Sequence, residues 1–367
     1  MLVLLVLSFL ASLGLCVLLM VYGRSRAQLY GQDMPQRFHA GDVPRFGGLA
    51  IAVGCVLAWG VGAAAVWLGL TINVALPWRD VALWTLVLVP TVVAGAWEDY
   101  TLKVGVRWRL VASVASALLG CALLGLAVPR LGLPGLDAWW QMVPWLGMAL
   151  AFIALAGLPH AFNIIDGYNG LAGIVAVMVF CALSYVALQL GDRNLAALMV
   201  AALGATLGFL YWNYPRGLIF AGDCGAYLWG GVIAIACITL VQRHASVSPW
   251  FPMLLLIYPV WETLFSIYRK LVRGVSPGMA DSLHFHQLVY KRIVRGVFHD
   301  NEMRRMLTRN NRTSPYLWAF TMLTVVPAVL FWQNTMVLML FCLLFVVSYV
   351  VAYVMIVRFK VPRWLRK

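Results

Sequence analysis

Acidic side chains are scarce in this sequence: Asp and Glu number 13 in 367 residues, against 27 Lys and Arg. Charged residues of all four kinds make up 11% of the chain and hydrophobic ones 63%. A soluble domain is about a quarter charged, so this composition excludes one and leaves a membrane protein. Alternating segments of about ten residues, the mark of a membrane barrel, are also missing. In their place stand continuous apolar runs near ~20 residues, enough to cross a ~30 Å hydrocarbon layer as helix. The seven cysteines contain no C-x-x-C pair. Cys16, Cys55, Cys121, Cys181, Cys237 and Cys342 lie within apolar runs and read as small packing residues, while Cys224 sits at a polar junction. Neither a disulfide framework nor a zinc pattern follows. No Lys or Arg precedes the first apolar run, and Arg24 and Arg26 follow it, which predicts a retained first helix rather than a signal peptide.

The runs fall at 2–22, 46–70, 81–97, 109–128, 143–160, 170–190, 195–212, 224–241, 250–268, 315–332 and 335–357. They predict an all-α polytopic membrane protein of about eleven transmembrane helices, one integral membrane domain over 1–367. Residues 269–314 form its one large polar loop. With the N-terminus outside, all but four of the Lys and Arg residues (Arg79, Arg130, Arg193 and Arg243) fall on the inner side. This predicts a periplasmic N-terminus, a cytoplasmic C-terminus and a multi-pass protein of the bacterial inner membrane. The net charge of +14 is thereby assigned to a basic inner face that meets anionic lipid, and nucleic acid is not expected as a partner.

Because acids are few, their placement is informative. A charge near hydrocarbon costs about 2.5–3.5 kcal/mol or more. Glu98 and Asp99 end the third run, Asp166 lies between the fifth and sixth, and Asp223 opens the eighth, all on the inner side and beside Gly or Asn. Each alone reads as a solvated loop carboxylate, or for Asp223 a helix cap. Together on one face they read as a site. Asn163, Asp166 and Asn169 share one short stretch with Gly167 and Gly170. Arg45 precedes Gly47-Gly48, a pattern that suits phosphate on bare backbone N–H groups, although paired glycines more often serve close helix packing. Lys103, Arg107 and Arg109 follow Glu98-Asp99 and could face a phosphate. Asp223 between Gly222 and Gly225 leaves room for a metal-bound diphosphate. His284 and His286 lie in the polar loop, where they could bind metal, bind phosphate or carry protons. The apolar residues around them (Leu283, Phe285, Leu288, Val289, Val294, Val297) suggest a segment in the membrane interface. Glu262, inside the ninth run, reads equally as a helix-facing contact to Arg269. The sequon Asn311-Arg312-Thr313 falls on the inner side and is discounted.

Hard oxygen ligands and cations at a lipid-facing junction suit Mg²⁺-dependent phosphoryl transfer. The site's position between membrane helices suggests that one substrate is a lipid. A transporter would place its charges near the midplane, with repeats or broken helices. Another membrane lipid-phosphate enzyme, a phosphatase or CDP-alcohol transferase, remains the alternative closest in chemistry.

Five motifs then carry a resemblance: Pro44-Arg45-Phe46-Gly47-Gly48, Glu98-Asp99, Asn163-x-x-Asp166-Gly167-x-Asn169-Gly170, Gly222-Asp223-x-Gly225 and Asp281-x-x-His284-x-His286. In this order the chain resembles the polyprenyl-phosphate N-acetylhexosamine-1-phosphate transferases. The resemblance implies an eleven-helix fold, often a homodimer. It implies transfer of a sugar 1-phosphate from a UDP-sugar, UDP-GlcNAc first, to undecaprenyl phosphate, with release of UMP. That step starts a cell-envelope polysaccharide such as O-antigen or capsule. It implies Mg²⁺, or Mn²⁺ in its place, on Asp223, and Asp99 with Glu98 at the lipid phosphate. Asn163, Asp166 and Asn169, with Arg45, Lys103 and Arg107, would then hold the substrates, and His284 and His286 the diphosphate or sugar. Glu98 stands where the family usually has Asp, Gln287 where a further His is usual, and Ser282 where Arg is common. These departures bear on the donor sugar more than on the reaction.

Overall fold

The computed structural model describes residues 1–27, 42–69, 76–276, 283–296 and 301–358. Asp281, Ser282 and Val297 lie outside them, as do Arg37 and the basic residues from Lys360 onward. The helices are α1 (Leu2–Ala27), α2 (Gly47–Trp67), α3 (Trp78–Thr101), α4 (Val106–Leu124), α5 (Pro134–Met142), α6 (Pro144–Ile165) and α7 (Leu171–Gln189). They continue as α8 (Arg193–Asn213), α9 (Gly222–Arg243), α10 (Trp250–Leu255), α11 (Ile257–Val272), α12 (Phe285–Leu288), α13 (Glu302–Leu330) and α14 (Thr335–Val357). Among the described residues 10 helices are long and apolar enough to cross a membrane. The protein is therefore an all-α polytopic membrane protein.

The ninth apolar run is the exception. It is divided at Leu256 into α10 and α11. Pro259 explains the division, because its ring disfavours the carbonyl position four residues earlier, at Leu255. The polar loop is also shorter than expected. α11 takes its first residues and α13 starts at Glu302, capped by the Asn301 side chain on the Arg304 N–H at 3.2 Å. The short helix α5 was not expected. It starts on Pro134, a residue suited to a first helical turn.

The bundle is built around α9, in which every residue from Gly222 to Val241 is buried. Its sequence explains this, since small residues (Gly225, Ala226, Gly230, Gly231, Ala234, Ala236) occupy all sides and let neighbours approach. α2, α3, α6 and α7 pack on it. A Cβ on Gly95 of α3 would stand 2.7 Å from the Cys224 backbone nitrogen, and one on Gly230 would stand 2.5 Å from Pro159 of α6. α1 lies along α8 and α2.

The two ends of the bundle differ in kind. At one end the Arg130 guanidinium donates to the carbonyls of Val241, His244, Ala245 and Val247 at 2.6–3.0 Å. There Asp192 caps α8 through the Leu195 N–H at 3.0 Å and pairs with Arg243 at 3.3 Å. This end carries the four basic residues set apart in the sequence. The other end gathers the starts of α2, α4, α7, α9 and α13 and the ends of α3, α6, α8, α11 and α14. The described residues of the acidic and His motifs are there.

Candidate active site

The site forms on the first turn of α9, whose backbone N–H groups have no partner within their own helix. Asp99, in the last turn of α3, supplies one: its carboxylate accepts from the N–H groups of Asp223 and Cys224, each at 2.9 Å. Gly222 beside it has a φ of +68°, and any side chain there would run into the Asp99 carboxylate and the Arg45 carbonyl. Phe220 N donates to the Pro44 carbonyl at 2.9 Å, Gly47 N to that of Phe220 at 2.8 Å and Gly48 N to that of Ala221 at 2.9 Å. The glycine pair therefore serves close backbone pairing. The phosphate reading of these two N–H groups is corrected, because both already have carbonyl partners.

Asp223 is 4% exposed and held from three sides. Asn163, in the last turn of α6, donates to its Oδ1 at 2.8 Å, Arg109 of α4 pairs with its Oδ2, and the Tyr227 hydroxyl lies 3.4 Å from the same oxygen. Arg45 spans both aspartates, its Nη2 3.7 Å from Asp223 Oδ1 and its Nε 4.0 Å from Asp99 Oδ1. Asp166 follows α6 directly. Burial pushes its carboxyl up to about 7, with Arg45 opposing the rise and Asp223 adding to it.

The remaining residues divide. Glu98 turns away and accepts from the Val104 N–H at 2.7 Å, closing the turn between α3 and α4. Lys103 and Arg107, expected to bind substrate, are exposed and stand outside the cluster around Asp223. Arg109 takes that place. The signal for it is helix phase: Arg109, Ser113, Ser116, Ala117 and Gly120 form one stripe at helical spacing, and its last four members are buried. His160 was not singled out from the sequence. Its Nε2 lies 2.9 Å from Ser113 Oγ and its ring sits edge-on to Tyr227 at 5.2 Å. Ser113, His160 and Tyr227 thus form a layer one turn below Arg109, Asn163 and Asp223.

Asn169 is 2% exposed. Its backbone N–H donates to Asn310 at 2.8 Å, its amide to Asn311 at 2.9 Å, and Ser314 donates to its carbonyl at 2.7 Å. It ties the Asp166 loop to α13. His286, also 2% exposed, rests on that loop: a Cβ on Gly167 would stand 3.0 Å from its Nε2, and Tyr168 meets its ring edge-on at 5.6 Å. His284 stacks parallel to His286 at 5.4 Å. Phe285, Leu288, Val289 and Val294 are buried, with Phe285 against Phe320 and Tyr349. The expected interfacial segment is thus corrected to one docked on the protein, because the aromatic rings of α13 and α14 offer it an apolar seat.

Among the described residues no group of three or more His, Cys, Asp and Glu stands ready to hold a metal. The oxygens of Asp223, Asp166 and Asn163 are nevertheless hard donors. Mg²⁺ typically takes one or two carboxylates and completes its shell with substrate phosphates and water, so this donor set fits it.

The sequence matches the profile of Glycosyl transferase family 4 over residues 81–241, which include Asp99, Arg109, Asn163, Asp166 and Asp223. It is 27% identical over 262 residues to a probable undecaprenyl-phosphate N-acetylglucosaminyl 1-phosphate transferase of Bacillus subtilis (strain 168), covering 70% of this chain and 68% of that protein. It is 26% identical over 285 residues to the undecaprenyl-phosphate alpha-N-acetylglucosaminyl 1-phosphate transferase of Escherichia coli (strain K12), covering 75% and 73%. To that of Yersinia pestis it is 26% identical over 259 residues, covering 69% and 67%.

Proposed function

We propose that the chain is a member of glycosyl transferase family 4, whose profile it matches over residues 81–241, and that it transfers an N-acetylhexosamine 1-phosphate from a UDP-sugar, UDP-GlcNAc first, to undecaprenyl phosphate. The observation that carries this reading is Asp223, a buried carboxylate on a helix N-terminus, clamped by Asn163 and by two guanidinium groups. Such a point gathers a diphosphate and a divalent cation in a site walled by apolar helices. An oxygen of the lipid phosphate attacks the sugar-bearing phosphorus of the donor. The bond from that phosphorus to the bridging oxygen breaks, UMP leaves with the electron pair, and the lipid keeps a diphosphate link to the sugar.

The chain's residues position and neutralise in this step. Arg45 and Arg109, now on Asp223, face the phosphates. Asp99 holds the first turn of α9 in place. His284 and His286 approach the donor from the far side of the Asp166 loop. Asp223, with Asp166 beside it, would hold Mg²⁺, which when bound draws charge off the diphosphate. The charge asymmetry supports a site on the cytoplasmic face of the inner membrane, where a UDP-sugar is available.

The test uses purified protein, undecaprenyl phosphate, Mg²⁺ and a panel of UDP-N-acetylhexosamines. UMP release and lipid-extractable sugar are followed together. One donor is expected to give both products, and Asp223→Ala to cut them roughly 10²-fold or more. Silence across the panel in folded protein, or full activity in Asp223→Ala, would overturn the reading.

A further inference from the structure

Glu262 of α11 is fully buried, 0% exposed, yet the transfer step above gives it no task. A buried carboxylate stripped of its partners costs several kcal/mol, so its contacts show what it is kept for. Its Oε1 accepts from the Phe285 N–H at 3.1 Å and lies 3.0 Å from His284 Nδ1. Its Oε2 accepts from the Tyr349 hydroxyl of α14 at 2.7 Å. Two of these three contacts go to the His segment. Arg269, two turns further along α11, holds the same segment by the Leu283 carbonyl and reaches the Tyr353 hydroxyl at 2.7 Å.

An ionised carboxylate only accepts hydrogen bonds, so the proton at this contact sits on Nδ1. The bond made by one ring nitrogen decides what the other presents. Nε2 is then the nitrogen of His284 that can meet a ligand, while the His284 and Gln287 side chains close the capping box that starts α12. Gln287 fixes the backbone at the same point by accepting from the His284 N–H at 3.2 Å. The ring lies parallel to His286, which itself rests on the loop that carries Asp166.

We propose that Glu262 is a positioning residue for donor recognition: it holds the His284 ring by Nδ1, so that Nε2 meets the donor beyond its nucleoside monophosphate, at the sugar and its phosphate. This rests on the transferase reading above.

The test is a double-mutant cycle on purified protein with Glu262→Gln, His284→Asn and the pair. Asn keeps a donor where Nδ1 stood and removes Nε2. Each single variant is expected to raise the donor KM about tenfold, the scale of one hydrogen bond to a charged group. The lipid KM and the inhibition constant of UMP, which lacks the sugar end, should stay unchanged. The double variant should be no worse than either single, because both remove one contact. A general packing defect would move all three constants. The role is overturned by a donor KM in His284→Asn within twofold of wild type, by losses that multiply in the pair, or by a parallel rise in UMP inhibition. Should Glu262→Gln fail to fold, His284→Asn, which leaves Glu262 its donor, decides alone. Silence of the wild type with every donor would overturn the transferase reading, and this role with it. A flat donor KM in active variants overturns only the role.

Discussion

At the scale of single residues, Asp166 ties stability to function. Its carboxyl is raised by burial to about 7, so the folded chain binds its proton more tightly than the unfolded chain does. The contribution to stability is present below the ordinary carboxyl range and is lost as pH rises through about 7. Asp166→Asn removes that loss. In protein free of divalent metal, the variant should melt above wild type at pH 8, with the difference closing toward pH 5, and should lose turnover. Equal melting at both pH values would show that the carboxylate carries no such burden. Arg109 works in the opposite sense. Arg109→Gln leaves the buried Asp223 with one guanidinium fewer, so activity should fall roughly 10²-fold by the UMP assay, while Arg107→Gln should fall little. Asp99, Asp166 and Asp223 were legible as a group because acids are so rare that three junctions carrying them stand out. Arg109 was not, because Lys103, Arg107 and Arg109 look alike until the start of α4 at Val106 fixes which of them faces inward.

At the scale of elements, α9 shows what hydropathy reads well and what it misses. Its length and apolar character were plain, but its burial on all sides follows from small residues spread around the helix, a pattern that average hydropathy does not register. Gly48 and Gly225 meet backbone to backbone at its first turn. Gly48→Ala should force α2 from α9, cost on the order of 1–3 kcal/mol and displace Asp223 from Arg45 and Asn163. The expected result is a lower melting temperature with loss of UMP release. Gly60→Ala on the same helix, where a Cβ meets nothing within 4 Å, should change neither. Unchanged behaviour of Gly48→Ala would remove close packing as the reason for the glycine pair. The division of α10 from α11 was less legible, since Pro252 and Pro259 lie in a run otherwise apolar enough to read as one helix. The early start of α13 escaped notice because Glu302–Ser314 is polar. That turn is held by tertiary contacts from Asn310, Asn311 and Ser314 to the Asn169 loop, which composition does not reveal.

At the scale of the whole molecule, the two ends of the bundle carry different electrostatics. Arg79, Arg130, Arg193 and Arg243 stand at the end stitched by Arg130 and Asp192, and Arg130 and Arg243 are engaged there by carbonyls or carboxylate. Among the described residues, the Asp223 end carries Arg45, Lys103, Arg107, Arg109 and Arg269. A membrane protein tends to insert with its basic end in the cytoplasm, and the proposed orientation would put Asp223 where UDP-sugars are. Single cysteines make this testable. Glu302, with a side chain 77% exposed, marks the Asp223 end, and Leu136 of α5, 49% exposed, marks the other. In intact cells freed of the outer membrane, a membrane-impermeant maleimide should label Leu136→Cys and reach Glu302→Cys only after the inner membrane is opened. The native cysteines that face outward, Cys181 among them, lie within membrane-crossing helices and should stay unlabelled. The reverse pattern would put the acidic cluster outside, away from any nucleotide-sugar, and a UDP-linked donor would then have no route to the site.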